Sequence, residues 1–464
     1  MLAQLGAIAR GAGSWIELRY HARRAKRLSV RNGSLEESSS VELVGIGVRA
    51  LVEGVLGFAS TADLSGEGIR AAVAAAQGAA RVAGPSKRAR ICGLGEIPLM
   101  QGTFSVQVED PLDDHPLEEK MALIRRIDER IRRASPRVVS SSVSYSEIQD
   151  EKVIVTSDGV AVHVLDSKPD FRAMAVASRD GDQTMGMDSV QATGGWTALF
   201  SSRSPEAMAD SAARLAVDQL TAPHATGGTA TVVLDPGLVG VLCHEAIGHT
   251  VEADIVLGGA VTAGKIGQRV ASEQVMLCDS GVSEHRPHAG GELAVDDEGV
   301  AAGRTVIIEG GILRSFLHNR ESAVHFGAAP TGNARAYEYS DEPIIRMRNT
   351  YLEPGEADPE GLIESVEDGY LLQGLGLSGQ ADSNAEFMFG VREAHRIQDG
   401  KVGEMVRGVT ISGNAFDVLM SVDGVGNDFA WGLGAGLCGK GQAAKVDAGG
   451  PHIRCVVTIG GRQG

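Results

Sequence analysis

Aromatic residues make up only 4% of the 464 residues. No apolar run approaches the roughly 18 residues that a membrane-spanning helix needs. Positive charge is also short. Lys and Arg number 43 against 60 Asp and Glu, a formal charge of −17. That balance argues against nucleic acid or an anionic membrane as the main partner. The one dense basic cluster, Arg19, His21, Arg23, Arg24, Lys26 and Arg27, reads as a solvated face beside a strand or helix. Cysteine is scarce and odd in number: Cys92, Cys243, Cys278, Cys438 and Cys455 lie far apart. Such spacing fits reduced thiols better than a disulfide framework. The segment from Met1 to Arg10 lacks the charged start and long apolar run of a secretory signal. A cytoplasmic protein is therefore expected, and Asn32-Gly33-Ser34 is read as a turn rather than a glycosylation acceptor.

What the chain does have is length and glycine. A chain of 464 residues exceeds one ordinary core. Its 61 glycines favour turns and close backbone approaches over long helical bundles. Val41 to Val55, with Gly45, Gly47 and Gly54, suggests paired strands with tight turns. Ser65 to Ala80 reads as an Ala-rich helix. Leu117, Met121, Ile124, Ile127 and Ile131 fall at helical spacing. Val138 to Ser178 reads as a strand meander, turning at Ser157-Asp158-Gly159. Ser204-Pro205 opens a further helix. Thr221-Ala222-Pro223 and Gly227-Gly228 mark a boundary between a first domain, 1–222, and a second, 223–464. Asp358-Pro359 starts a short helix that Gly369 closes. The fold class expected is α+β: a mixed α/β first domain, then a large, mainly antiparallel β domain carrying a distorted helix.

The most informative passage is His244-Glu245-Ala246-Ile247-Gly248-His249. Neutral imidazole is a favoured zinc ligand, and a neighbouring carboxylate can take a proton from water. The usual His-Glu-x-x-His spacing puts both histidines on one helical face. Here they are five apart, roughly 140° of rotation in a regular α-helix, so both could not face one metal. A local π-type widening or a helix end at Gly248 would restore the geometry. Asp235 is placed to cap this helix, with Pro236 in its first turn.

By residue type, the third ligand is open among Glu252, Asp254, Asp279, Asp296, Asp297, Glu298, Cys278 and Cys438. Cys438 is attractive because it lies in the glycine loop Gly434-Ala435-Gly436-Leu437-Cys438-Gly439, which could bring a thiolate close to a metal. That loop also matches G-x-G-x-x-G, and Gly434 to Lys440 matches G-x-x-x-x-G-K. Gly441 stands where a P-loop needs Ser or Thr, and no βαβ setting surrounds the glycines, which argues against nucleotide binding.

The blocks Thr231-Val232-Val233-Leu234-Asp235-Pro236-Gly237 and His244 to His249 with Glu252-Ala253-Asp254 resemble the TldD/PmbA metallopeptidase family, on its catalytic TldD side. Val295-Asp296-Asp297-Glu298-Gly299, Thr331-Gly332-Asn333, Arg346 to Thr350 and Cys438-Gly439-Lys440 are similar to it in the same order, as are Gly45 to Arg49 and Gly57 to Thr61. The resemblance implies zinc held by His244, His249 and Cys438, with Glu245 as general base. It implies a homodimer, or a heterodimer with a non-catalytic TldE/PmbA-like relative, around an internal chamber that takes unfolded peptides. The first domain would then serve dimerisation and the chamber. Two departures stand out: Thr250 where the family usually has glycine, and a Cys438 segment one residue shorter, without the usual Val-Pro.

The expected function is zinc-dependent hydrolysis of unfolded or modified peptides, with a role in peptide maturation or natural-product biosynthesis. Substrate would bind extended, as an added strand. An oxyanion partner is expected, with His318, Asn333, Arg335 and Arg346 of suitable chemistry. The rival readings are a non-proteolytic scaffold subunit and a zinc-dependent peptide-modifying enzyme.

Overall fold

The structure, a computed structural model, describes residues 1–84, 90–91 and 93–461. Cys92 and the last three residues of the expected second domain lie outside the described residues. Two seven-stranded sheets organise the chain. The first contains β1 (Trp15–Arg31), β2 (Ser34–Val52), β3 (Val55–Thr61), β4 (Gln101–Ser105), β5 (Val138–Thr156), β6 (Ala161–Arg179) and β7 (Asp182–Gln191). Its order is β3-β2-β1-β5-β6-β4, with β7 also on β6, and only β4 pairs in parallel.

Alternation along these strands gives the sheet two different faces. Ile16, Leu18, Ile46 and Val48 pack with residues of α1 (Leu2–Arg10) and α2 (Gly66–Ala83). Val143, Tyr145, Phe171 and Ala173 pack with α3 (Leu117–Arg133), the short α4 (Trp196–Leu199) and α5 (Pro205–Asp218). Leu117, expected on the buried stripe of α3, stays exposed at the helix start.

The opposite face is charged, and the second half of the chain covers it. This corrects the reading of the basic cluster as a solvated face. Arg19, His21 and Arg23 alternate onto the covered side and are buried, whereas Arg24 and Arg27 are exposed. Arg19 donates to the carbonyls of Glu338 and Asp341. Arg23 pairs with Asp150 and stacks over Tyr337, 3.9 Å from its ring centroid. Arg49 joins Glu17 to Glu298, and Lys152 pairs with Asp297. Gly45 and Gly47 also differ from expectation. They lie mid-strand in β2, not in turns, and a Cβ on Gly45 would stand 2.3 Å from the Tyr339 ring. The turns fall at Asn32-Gly33 and Glu53-Gly54, all with positive φ.

The second sheet begins with β8 (Gly228–Leu234), flanked by parallel Asp368–Ala381 and antiparallel Ile453–Gly460. Asp368–Ala381 also pairs with Glu386–Gln398, so five strands close into a ring. A six-stranded sheet, from Leu277–Ser280 to Asp447–Gly450, packs beside it. The helix from Pro359 ends at Glu364 under a Ser365 cap, and Gly369 does not close it. Gly369 lies in the next strand, where a Cβ would meet the Thr231 carbonyl at 2.2 Å. Helices at Arg320–Phe326 and Ala415–Met420 interrupt the second domain, which is expected to be mainly antiparallel β. Among the described residues, no helix is long and apolar enough to cross a membrane.

Candidate metal centre

Central strand β8 delivers the chain to the site. It leads into Asp235, whose Oδ1 accepts from Leu238 N and Gly374 N, both at 2.9 Å. The carboxylate thereby caps α6 (Pro236–Val241) and ties it to the neighbouring strand. Gly240 lets α6 lie flush on the strand holding Ala448, since a Cβ there would come within 2.6 Å of backbone. From Leu242 to Gly248 the helix widens into a π-helix, the distortion that the five-residue spacing predicts. Leu242, Cys243, Ala246 and Ile247 anchor this turn in the main core. Thr250 lies in the 3₁₀ turn that follows, His249–Val251, its buried hydroxyl donating to the Ile247 carbonyl at 2.7 Å. The departure from glycine at this position thus supplies a hydrogen bond.

Gly248 has a packing reason of its own. A Cβ built there would stand 2.0 Å from Met347 Sδ, and Met347 is itself buried. Gly248→Ala is expected to cost about 1–3 kcal/mol of stability through overpacking. A thermal midpoint unchanged from wild type would contradict that packing.

The widened turn brings both imidazoles to one place. Their ring centroids are 5.3 Å apart, and the rings are nearly perpendicular. Cys438 arrives from the distant hairpin pairing Cys438–Gly439 with Ala443–Ala444. Its Sγ lies 3.3 Å from His249 Nε2. One ligand atom from each of His244, His249 and Cys438 falls within 4.8 Å of the other two. His244 is wholly buried, and neither ring nitrogen has a hydrogen-bond partner. An imidazole is costly to bury with both nitrogens unmet. The donor set, two imidazoles and one thiol, fits a zinc ion.

The charges agree. Burial alone would raise the Cys438 thiol, but the charge and proximity of His244, then His249, outweigh it and bring its pKa down to about 4. Burial would lower His249, but hydrogen bonds to Cys438 and Glu252 outweigh it and raise its pKa to about 10. Cys438 and His249 thus hold each other as thiolate and imidazolium.

Glu252 orients the second histidine. His249 Nδ1 donates to its buried Oε2 at 2.7 Å, leaving Nε2 facing Cys438. Lys440 lies 3.2 Å from Glu252 and 2.8 Å from Asp254, and donates to the Ile345 carbonyl at 2.9 Å. The lysine of the P-loop-like match is therefore a strut between the hairpin and the helix. Glu245 is half-exposed, with Oε2 3.7 Å from His249 Nε2, on the side where the donors converge.

The other third-ligand candidates are placed elsewhere. Glu252 stands behind His249, and Asp254 pairs with Lys440. Asp279 binds Arg348 and Asn333. Asp296 accepts three backbone N–H groups, Asp297 pairs with Lys152, and Glu298 pairs with Arg49. Cys278 contacts Glu353. The four oxyanion candidates have structural partners. His318 Nδ1 meets Ser322, and Asn333 donates to Asp279 and the Arg346 carbonyl. Arg335 donates to the carbonyls of Met347 and Lys445. Arg346 donates to those of Cys438 and Gln442, at 2.7 and 2.6 Å, and so fixes the hairpin.

Known proteins match this chain along its length. Residues 16–80 match the profile of PmbA/TldA metallopeptidase domain 1, residues 110–220 the central domain, and residues 227–461 the C-terminal domain. A metalloprotease of Methanothermobacter thermautotrophicus is 35% identical over 443 residues, 95% of this chain and 94% of its own. A zinc metalloprotease TldD homolog of Saccharolobus solfataricus is 31% identical over 338 residues, 73% and 74% of the two chains. The crystal structure of TldE from Thermococcus kodakarensis shares the fold with a TM-score of 0.77 at 18% identity, over 99% of both chains.

Proposed function

We propose, from the premise that this chain belongs to the TldD/PmbA metallopeptidase family, that it is a zinc peptidase that hydrolyses unfolded or modified peptides. His244, His249 and Cys438 hold the ion in this reading. The observation that carries it is the convergence of these donors within 4.8 Å around a buried histidine with no other partner.

Zinc in this ligand set supplies a Lewis acid for the scissile carbonyl and acidifies water beside it. The chain's own residues do the rest. Glu245 accepts the proton of the attacking water as its oxygen bonds to the carbonyl carbon. It then passes that proton to the amine nitrogen as the C–N bond breaks. Glu252 keeps the His249 proton on Nδ1, so that Nε2 offers its lone pair. Glu252→Gln is expected to weaken zinc binding by about 10–100-fold. An affinity equal to wild type in a chelator competition would contradict this role.

The peptide binds extended, and the protein works as a homodimer or with a non-catalytic TldE/PmbA-like subunit, in the cytoplasm. The first domain, ending at the 222/223 boundary, serves assembly and the substrate chamber. Product mass spectrometry on a mixed library of unfolded peptides tests the reaction. Paired fragments whose masses sum to substrate plus one water are expected. Intact peptides would favour a scaffold, and a single altered product a peptide-modifying enzyme.

A further inference from the structure

The third donor, Cys438, lies in a glycine-rich stretch whose own pairing is short, Cys438–Gly439 against Ala443–Ala444. Gly434, Gly436, Gly439 and Gly441 surround it, two of them with positive φ. Such a segment has much conformational freedom to lose. Arg346 and Lys440 hold it from the side of the helix. Its other side is held by the first sheet.

Four polar residues of that sheet form two adjacent cross-strand pairs, Asp170 with Gln191 and Arg172 with Ser189. Residues two apart share a face, and directly paired residues stand side by side. The intervening Phe171 and Val190 point the other way, into the helix-covered core. Both pairs meet the hairpin. Arg172 donates to the Ala435 carbonyl, and Ser189 Oγ accepts from Ala435 N at 3.1 Å. Contact is tight here, since a Cβ on Gly434 would stand 2.4 Å from Ser189 Oγ. On the returning leg, Gln191 Nε2 donates to the Val446 carbonyl at 2.7 Å, and Lys445 donates to Asp170. One pair grips the chain three residues before Cys438, and the other grips it seven and eight residues after.

We propose that Arg172, Ser189, Asp170 and Gln191 are positioning residues for the metal centre: a clamp by which the first sheet sets where the Cys438 sulfur stands. The inference rests on the metallopeptidase reading and adds that the first sheet completes the metal site. None of the four touches the donors. They act through the backbone on either side of Cys438, and loosening them lets the thiolate drift while the two histidines stay fixed on their helix.

The test reads metal binding rather than turnover. Zinc affinity by chelator competition, and the thiolate-to-cobalt charge-transfer absorption of the cobalt-loaded protein, are measured for wild type, Arg172→Ala/Gln191→Ala, Arg172→Lys and Arg320→Ala. Arg320 joins the two halves elsewhere, through Asp158 and the Gly95 carbonyl, and controls for general loosening of the contact. The double variant is expected to bind zinc about 10-fold or more weakly, with a diminished thiolate–cobalt band. Arg172→Lys, which keeps a donor, is expected to stay near wild type, as is Arg320→Ala. A double variant with wild-type affinity and band overturns the clamp, as does an equal loss in Arg320→Ala. Wild-type protein with no thiolate–cobalt band overturns both the clamp and the metal reading. Normal binding in wild type without peptide cleavage, together with a weakened double variant, removes the peptidase reading and supports the clamp.

Discussion

Glu245→Gln is expected to keep its zinc and lose its chemistry, with kcat falling by about 10²–10⁴-fold. The substitution preserves size and hydrogen-bonding capacity and removes only the ability to take a proton. Glu245 is not among the converging donors, so zinc content should match wild type. Its carboxylate stands 3.7 Å from His249 Nε2 and is half-exposed, open to both water and substrate. KM should change little, because the lost interaction belongs to the transition state. Loss of zinc together with activity would instead make Glu245 a ligand. Activity near wild type would end its role as base.

Cys438→Ala is expected to lose the metal. Zinc sites bind with roughly 10–16 kcal/mol shared over four donors, so one donor represents about 2.5–4 kcal/mol, a loss of about 10²–10³-fold in affinity. The wild-type affinity should also rise with pH. In the metal-free pair, Cys438 titrates near 4 and His249 near 10, so between those values one proton sits on His249 while the thiol is ionised. Zinc displaces that proton, which makes binding about tenfold tighter per pH unit across the interval. Below it the thiolate protonates as well, and the affinity falls faster. A pH-independent affinity, or a Cys438→Ala protein that holds zinc as tightly as wild type, would contradict this donor set.

The helical half of the site was legible because one local rule decides it. Two histidines five residues apart cannot share a face of a regular helix, so a distortion is expected, and the structure takes it as the π-turn at Leu242–Gly248. Asp235 and Pro236 announced the helix start for an equally local reason. Cys438 was different. It was one of eight candidates by residue type, its glycine loop made it attractive, and the resemblance then singled it out; its approach to His249 spans 189 positions of chain. Glu252 was visible as a carboxylate near the motif, but spacing does not tell a ligand from a group behind one. The basic cluster misled because composition cannot show that a second layer covers the sheet. Period-two alternation at Arg19, His21 and Arg23 was the one available signal. Gly45 and Gly369 were read as turn and stop because glycine serves those ends as well as close approach. Only the packed neighbours, Tyr339 and the Thr231 carbonyl, distinguish the uses. The clamp had no signal at all, since cross-strand register is a property of the folded sheet.

The measurement closest to the central claim is X-ray absorption at the zinc edge of the purified wild-type protein, with metal content determined on the same sample. About one zinc per chain, with one sulfur donor at about 2.3 Å and two imidazole nitrogens at about 2.0 Å, is the expected result. Protein without zinc, or zinc whose shell contains no sulfur, would contradict a centre built from His244, His249 and Cys438.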